Sequence, residues 1–443
     1  MSDMNKTLYI VHCIDTEGPL TEDISDTFDR IESIYDIKLG LHSNPDNLKK
    51  LQRKELDLAG LENEIAKLVS PELLNYNNSW QDVRNMLLDC LSEDFRNKTI
   101  DDFGNGWVYS WHCMDHAGYS DNPRRKDLGY GNVYKFYKNI LAETNSTQDE
   151  INWHYHPLPF DRNPLRCAVN YSNSFDVLLQ VLTRRVIDEG WFPSVNRPGF
   201  HSERQDIHMF LEQWIPFDYA NQSYDFDDGQ QDLIGGRFGD WRRAPKTWRG
   251  YNPHHDDYQT EGGCRRTIFR CLNVGTRFNL LKISHVREAF KEAQEEGSAI
   301  LSFSNHDYRE MRGDIDYVRG LLSECRSEFP DVKIAFAGAN EAARNIAIRS
   351  KPQDTDVILS SKMVGNRFEV NVQTGSLFGP QPFLAIKTKD GRYYHDNFDE
   401  SVKGRSYSYT FDFHTLAIET VSVVAAATCD SLGNVNITKC ELS

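Results

Sequence analysis

The feature that most restricts the fold of this chain is an alternation of short apolar strands and amphipathic helices between about residues 7 and 350. Strand and helix alternate about seven times over this span. This pattern predicts parallel strands joined by helical crossovers, and thus an α/β barrel with its active site at the carboxyl ends of the strands. The predicted strands are Leu8–Ile14, 106–116, Ile151–Pro157, Phe192–Val195, Ile215–Ala220, Ala299–Phe303 and Val332–Phe336.

One predicted strand ends in two histidines, His154 and His156, which alternate with aromatic residues and precede Pro157. Successive side chains of a strand point to opposite faces, so the two histidines point the same way. Two neutral imidazoles side by side suit one metal ion. A histidine pair at this spacing is also common on surfaces and in cores, so the metal prediction depends on the other strand ends.

Most of the other predicted strands also end in acidic, basic or imidazole side chains. A gathering of polar groups at the same end of many strands rarely arises by chance, and it indicates a metal-dependent barrel enzyme. The candidate residues at these strand ends are Asp15, Glu17, Asp115, Arg197, Asp218 and His306.

The barrel pattern is interrupted twice and ends near residue 350. Residues 20–105 are charged and helical, and we interpret them as a helical insertion. Residues 222–280 are rich in Gly, Trp, Tyr and Arg, and we interpret them as a substrate loop, because long loops inside compact domains are usually functional. Short alternating strands over 352–443 predict an antiparallel β-sandwich. Its role is open between sugar binding, contact within a homo-oligomer and covering of the barrel.

Composition argues against several classes of protein. The formal net charge of −16 argues against a nucleic-acid partner. The sequence has no run of about 18 apolar residues, so we expect no membrane-spanning helix. The first predicted strand follows no signal-peptide pattern, and the nine cysteines form no CxxC pair. Together these features favour a cytoplasmic protein with free thiols.

The order of the strand-end motifs resembles that of the polysaccharide deacetylases, the chitooligosaccharide-deacetylase-like carbohydrate esterases. The resemblance covers about residues 7 to 350 without the helical insertion, and it implies a distorted (β/α)7 barrel. The family usually has adjacent aspartates in its first motif and histidines four apart, whereas this chain has Asp-Thr-Glu and histidines two apart. The corresponding motifs are Asp15-Thr16-Glu17, His154-Tyr155-His156, Arg197-Pro198-Gly199, Asp218 and Ser304-Asn305-His306.

This resemblance implies a metal-dependent hydrolase that removes an N-acetyl group from a sugar. Because no signal-peptide pattern is present, we expect it to act on a cytoplasmic precursor of a surface polysaccharide of the O-antigen or capsule type. A divalent metal, Zn²⁺ by preference, would bind His154, His156 and one carboxylate, with a further position for water. Glu17 matches the third ligand by position. Asp15 and Asp115 are the alternatives, and loss of the metal is a further one.

The resemblance also implies catalytic roles. Asp15 would be the general base, Arg197 would hold it ionised and oriented, and His306 would protonate the departing amine. Asp218 or Asp307 would be the partner of His306. Plainer roles are open for two of these residues, since Arg197 can anchor a turn and Asp218 can support the barrel as a buried hydrogen-bonding group.

The candidate substrate-binding residues are Trp241, Arg242 and Arg243, together with Asp218. Aromatic faces stack on sugar rings and clustered arginines bind carboxylate or phosphate. We therefore expect an anionic amino sugar, a nucleotide sugar or a lipid-linked glycan, unless the arginines pair with surface acids.

Rival functions stay open at this point. They are a catalytically inactive glycan-binding barrel, a metal-dependent amidase acting on a non-sugar amide, and a glycoside hydrolase that uses Asp15 with a second acid.

Overall fold

The first domain is a barrel of parallel strands. The computed structural model describes residues 6–116, 131–157, 171–225, 239–350 and 356–442. The strands of this domain are β1 (Lys6–Thr16), β2 (Ser110–His116), β3 (Glu150–His156), β4 (Val195–Asn196), β5 (Phe217–Asn221), β6 (Pro253–His254), β7 (Asp257–Glu261), β8 (Thr267–Asn273), β9 (Ser298–His306) and β10 (Val332–Phe336). Seven of them close into a barrel in the order β1-β2-β3-β4-β5-β8-β9, because β9 pairs back onto β1. The predicted barrel fold is confirmed.

Helices connect the strands and cover the barrel. Those of the described residues are α1 (Ile24–Tyr35), α2 (Pro45–Gln52), α3 (Glu62–Leu68), α4 (Trp80–Cys90), α5 (Glu93–Arg96), α6 (Asn132–Glu143), α7 (Phe175–Arg184), α8 (Gln205–Trp214), α9 (Ile283–Glu296), α10 (Arg312–Arg326) and α11 (Ala339–Ser350). Helices α1 to α5 lie between β1 and β2, in the span of the predicted helical insertion. Asp23 and Ser79 cap α1 and α4 through reciprocal hydrogen bonds with the third residue of each helix. Within the part of the chain that the structure describes, no helix is both long and apolar enough to cross a membrane.

Strand β1 shows why these sequences form a barrel. Leu8, Ile10 and Ile14 lie on one face of the strand and Val11 on the other, and all four are buried. A parallel strand is apolar on both sides because one face lines the barrel interior and helices cover the other.

The interpretation of residues 222–280 as one long loop is wrong in part, because β8 lies inside this span and is a barrel strand. Arg270 interrupts the apolar run of β8 in the sequence, yet its guanidinium is buried and donates to the carbonyl oxygens of Ser223 and Lys246. The predicted strand Val332–Phe336 is β10, which pairs with the first half of β1 outside the closed ring. Residues 226–238 of the predicted loop lie outside the described residues.

The C-terminal region is a β-sandwich of two antiparallel sheets. One sheet has the order β11-β12-β16-β15 and the other β14-β13-β17-β18, where the strands are β11 (Ile358–Val364), β12 (Arg367–Thr374), β13 (Phe383–Thr388), β14 (Tyr393–Asp396), β15 (Asp399–Val402), β16 (Ser406–Thr410), β17 (Val421–Cys429) and β18 (Val435–Glu441). The two sheets share an apolar core that includes Phe368 and Ile386. Phe383 packs with Phe192 and Trp214 of the barrel domain, so the sandwich lies against the outside of the barrel.

Candidate metal centre

Three buried ligand atoms converge at the carboxyl end of the barrel strands, one each from Glu17, His154 and His156. Nε2 of His154 lies 2.8 Å from Nε2 of His156. Oε1 of Glu17 lies 3.8 Å from the first nitrogen and 3.4 Å from the second. A tetrahedral zinc with bonds of about 2.1 Å places its ligand atoms roughly 3.4 Å apart. The two Glu17 distances are close to this spacing, whereas the two imidazole nitrogens lie at hydrogen-bond distance and would have to move apart for the three side chains to hold one divalent metal.

The orientation of His154 suits a metal ligand. Its Nδ1 lies 2.6 Å from the carbonyl oxygen of Arg197. A carbonyl oxygen only accepts, so Nδ1 carries the proton and Nε2 of the neutral ring presents its lone pair to the cluster. In metal-binding histidines, a hydrogen bond from the ring nitrogen that does not bind the metal fixes the tautomer and the orientation of the ring.

A buried ion pair lies beside the cluster. The guanidinium of Arg197 donates from Nε to Asp15 Oδ1 at 2.6 Å, from Nη1 to the Tyr219 carbonyl at 2.8 Å and from Nη2 to Ser304 Oγ at 2.6 Å. Burial raises the pKa of Asp15, but the adjacent Arg197 guanidinium outweighs burial and holds that pKa far below its ordinary value. Asp15 is therefore ionised throughout the neutral pH range.

His306, at the end of β9, lies on the other side of Asp15. Its Nε2 is 3.7 Å from Asp15 Oδ2 and 3.9 Å from Glu17 Oε1. Burial is the main cause that lowers the pKa of His306 to about 3, although the Asp15 charge acts in the opposite direction. The imidazole is thus neutral at pH 7. It has to gain a proton before it can donate one to a leaving group.

The turn after β4 approaches the cluster closely. A Cβ on Gly199 would lie 2.6 Å from the His156 ring, so only glycine fits there without a shift. Phe200 and His201 follow with left-handed φ angles of 56° and 51°, a strained conformation for non-glycine residues. Gly239 N–H donates to the Phe200 carbonyl, and these contacts hold the turn in place.

His201 was missed by sequence reasoning. Its imidazole is buried, and the charges of Arg197 and Asp15 act on it. Burial, followed by the charge of Arg197, lowers the pKa of His201 well below its ordinary value. Its position in the sequence, two residues after the strand-end motif Arg197-Pro198-Gly199, was the one feature that could have indicated a histidine near the site.

The structure does not bring Asp115 into the cluster. In the β2–β3 register Met114 lies opposite His154, so Asp115 points to the other face of the sheet. Its carboxylate accepts from Arg185 Nη2 at 2.6 Å and from Trp153 Nε1 at 3.1 Å. Asp115 thus supports the helical side of the barrel. Among the three carboxylates considered as third ligand, Glu17 is the one in the ligand cluster.

Asp218 is also occupied away from the cluster. It is fully buried and accepts from Arg266 Nη1 at 2.7 Å and from Asn196 Nδ2 at 3.0 Å. Arg266 also donates to Glu203 at 2.5 Å, which ties the turn after β4 to β5 and β8. This arrangement is the supporting role considered for Asp218, rather than contact with substrate or with His306.

The three substrate-loop candidates are occupied as well. Trp241 is fully buried and donates from Nε1 to the carbonyl oxygen of His201 at 3.0 Å, so its ring is core and not a sugar platform. Arg242 pairs with Asp240 at 2.9 Å and Arg243 with Asp257 at 2.9 Å. The pairing of these arginines with surface acids, the alternative considered above, is what the structure contains.

Comparison with known proteins adds little. No family model and no curated protein matches the chain. Among solved structures, a superoxide reductase from Giardia intestinalis matches at 15% identity over 20% of this chain and 100% of that chain, with a TM-score of 0.16. A TM-score this low carries no argument about the fold or the function.

Proposed function

We propose that the protein is a metal-dependent hydrolase that removes an N-acetyl or related acyl group from an amino sugar. The observation that carries this proposal is the convergence of Glu17, His154 and His156 beside the ion pair of Asp15 with Arg197. Candidate metal ligands, a candidate carboxylate base and an arginine paired with that carboxylate thus lie at one end of one barrel, which supports the proposal. The order of these residues along the chain is the order in which the polysaccharide deacetylases carry their motifs.

The donor set favours zinc among divalent metals. Two imidazole nitrogens and one carboxylate are a ligand set of catalytic zinc sites, which keep a further position for water or substrate. A bound zinc would polarise an acyl carbonyl and lower the pKa of water.

Asp15 is the proposed general base. Arg197 keeps it ionised and fixes one of its oxygens, which leaves Oδ2 on the side of His306. As general base it would take a proton from the attacking water.

His306 is the proposed group that delivers a proton to the leaving amine. It is neutral before reaction, and Asp15 Oδ2 is 3.7 Å from its Nε2. The two atoms have to approach to hydrogen-bond distance before a proton accepted by Asp15 can pass to His306 and then to the amine.

The finer substrate class has less support. Trp241 is buried, and Arg242 and Arg243 are paired with acids. The expectation of an anionic, nucleotide-linked or lipid-linked sugar therefore stays a prediction. The cytoplasmic site of action is a separate prediction.

The test is acetate release by the zinc-loaded protein from N-acetylglucosamine, its oligomers and a uridine-diphosphate N-acetyl sugar. We expect Asp15→Asn to reduce turnover at least ~100-fold, the lower range for one proton-transfer group, with zinc still bound. Asp240→Asn, the same substitution on the loop beside Arg242, is the matched control and should be unchanged.

Several results would contradict the proposal. Acetate release by Asp15→Asn at the wild-type rate removes Asp15 from the base role. Sugar binding without turnover favours a glycan-binding barrel, and new reducing ends released without metal favour a glycoside hydrolase. Acyl release only from non-sugar amides favours the amidase.

A further inference from the structure

We propose that Asp307 is a positioning residue that holds the metal ligand Glu17 in place through its main chain. Asp307 directly follows His306 and is fully buried. Its Oδ1 accepts from the Glu17 N–H at 2.8 Å, and its Oδ2 accepts from the Gly18 N–H at 3.0 Å. This inference rests on the metal site of the proposed function.

The Glu17 turn needs such support because the barrel does not provide it. β1 ends at Thr16, and its last pairs are Asp15 with His306 on β9 and Thr16 with Cys113 on β2. Glu17 therefore lies past the last pair of either ladder. Gly18 has a φ of 70°, so the chain turns sharply there. One carboxylate receives two consecutive main-chain N–H groups and thereby fixes the direction of the Glu17 side chain.

Asp307 is itself held from a third direction. Tyr137 of α6 donates its hydroxyl to Asp307 Oδ2 at 2.8 Å. A charge-assisted hydrogen bond from a buried hydroxyl orients the carboxylate, since Oδ2 is then shared between Tyr137 and Gly18.

The helical insertion completes this support. Asn77 Nδ2 donates to the Asp307 carbonyl at 2.8 Å, and Asn77 N–H donates to the Tyr308 carbonyl at 2.8 Å. The Asn77 carbonyl accepts from Leu20 N–H at 3.0 Å. One residue of the insertion thus joins the turn after β1 to the turn after β9, which gives the insertion a part in shaping the metal site.

Loss of the Asp307 carboxylate should therefore weaken metal binding. In Asp307→Asn one acceptor becomes an NH₂ donor, which would face a main-chain N–H. Changes to groups that orient metal ligands typically cost about 10- to 100-fold in metal affinity. Asp307 acts through Glu17, so the expected change is in the zinc dissociation constant and in the ligand field.

The experiment measures the zinc dissociation constant by chelator competition and the visible spectrum of the cobalt-loaded protein. Asp101→Asn is the matched control. Asp101 is also a buried carboxylate that accepts main-chain N–H groups, from Phe103, Asn105 and Phe336. Phe336 pairs with Ile10, five residues before Asp15 and so about 17 Å away along β1.

We expect a dissociation constant at least ~10-fold higher in Asp307→Asn, with altered cobalt bands, and a value within ~2-fold of wild type in Asp101→Asn. Wild-type zinc affinity in a folded Asp307→Asn overturns the inference and leaves the metal site standing. A wild-type protein that binds no zinc overturns the proposed metal site, and the inference with it. If Asp307→Asn does not fold, Tyr137→Phe decides: weakened zinc binding supports the inference, and unchanged binding overturns it.

Discussion

The buried pair of Arg197 with Asp15 makes a sharp prediction about stability. Both side chains are almost fully buried, with exposed fractions of 0% and 5%. Replacing Arg197 by Met leaves a carboxylate without its cation in the barrel interior. Removing one partner of a buried ion pair typically costs about 3–5 kcal/mol.

The neutral acceptors of Arg197 add to this cost. The Tyr219 carbonyl and the Ser304 hydroxyl each lose a hydrogen bond, worth about 1 kcal/mol apiece. We therefore expect Arg197→Met to lower the free energy of unfolding by about 5–7 kcal/mol. In the double variant Asp15→Asn/Arg197→Met no unpaired charge remains. Its loss should be about 2–4 kcal/mol smaller than the sum of the single losses.

The loss in Arg197→Met should also depend on pH. In the wild type the pKa of Asp15 is lower in the folded protein than in the unfolded chain, where it is about 3.9. Asp15 therefore stabilises the fold at pH values above about 3.9, and this stabilisation is lost as the pH falls below that value. Without Arg197, burial raises that pKa, so the difference between variant and wild type should grow as the pH rises from about 4 to 7.

Urea unfolding followed by tryptophan fluorescence measures these quantities for the barrel domain, since all eight tryptophans lie between residues 80 and 248. A double-mutant cycle then yields the coupling energy. Losses that add within about 0.5 kcal/mol would refute the argument that this ion pair is coupled and buried.

Three further predictions follow from the same geometry. Gly199→Ala should displace the His156 ring and weaken zinc binding at least ~10-fold. Gly313→Ala is the control, because a Cβ there meets nothing within 4 Å, and it should leave zinc binding unchanged. Equal zinc affinity in the two variants would contradict this prediction. Asp115→Ala should keep zinc affinity but lower the free energy of unfolding by about 3–5 kcal/mol, because it removes one member of the buried ion pair between Asp115 and Arg185. Loss of zinc in this variant would contradict the prediction and make Asp115 a ligand. Burial keeps several histidines neutral in the folded protein, whereas in the unfolded chain they gain protons as the pH falls from about 6.5 to 5.5. The free energy of unfolding should therefore fall by roughly 1 kcal/mol for each of these histidines over this range. Urea unfolding measures this change, and a free energy of unfolding that does not vary with pH here would contradict the prediction. Two such histidines are His12, with a pKa of about 3, and His395, with a pKa of about 4.

The barrel and the gathering of candidate residues at the carboxyl ends of its strands were predictable because local patterns specify them. Strand and helix periods differ, and parallel strands place their carboxyl ends together. The common direction of His154 and His156 also follows from strand alternation alone.

The role of Asp115 was not predictable, because it depends on pairing register between strands. Only the pairing of Met114 with His154 shows that Asp115 points to the opposite face. A register is a long-range property that one sequence does not display.

Burial misled the interpretation of the 222–280 span. Tryptophans and arginines in a long polar span indicate a binding surface when they are exposed. Trp241, Arg266 and Arg270 are instead buried, and all three donate hydrogen bonds. The arginines find acceptors that lie far away in the sequence, which a local pattern cannot reveal.

The measurement that tests the central claim most directly is the metal content of protein purified without added metal and without a histidine-rich tag. We predict about one zinc, or another divalent transition metal, per chain, and its loss in the double variant His154→Ala/His156→Ala. Protein that contains no metal and binds none on addition would contradict the metal site. It would also move the assignment to a glycan-binding barrel.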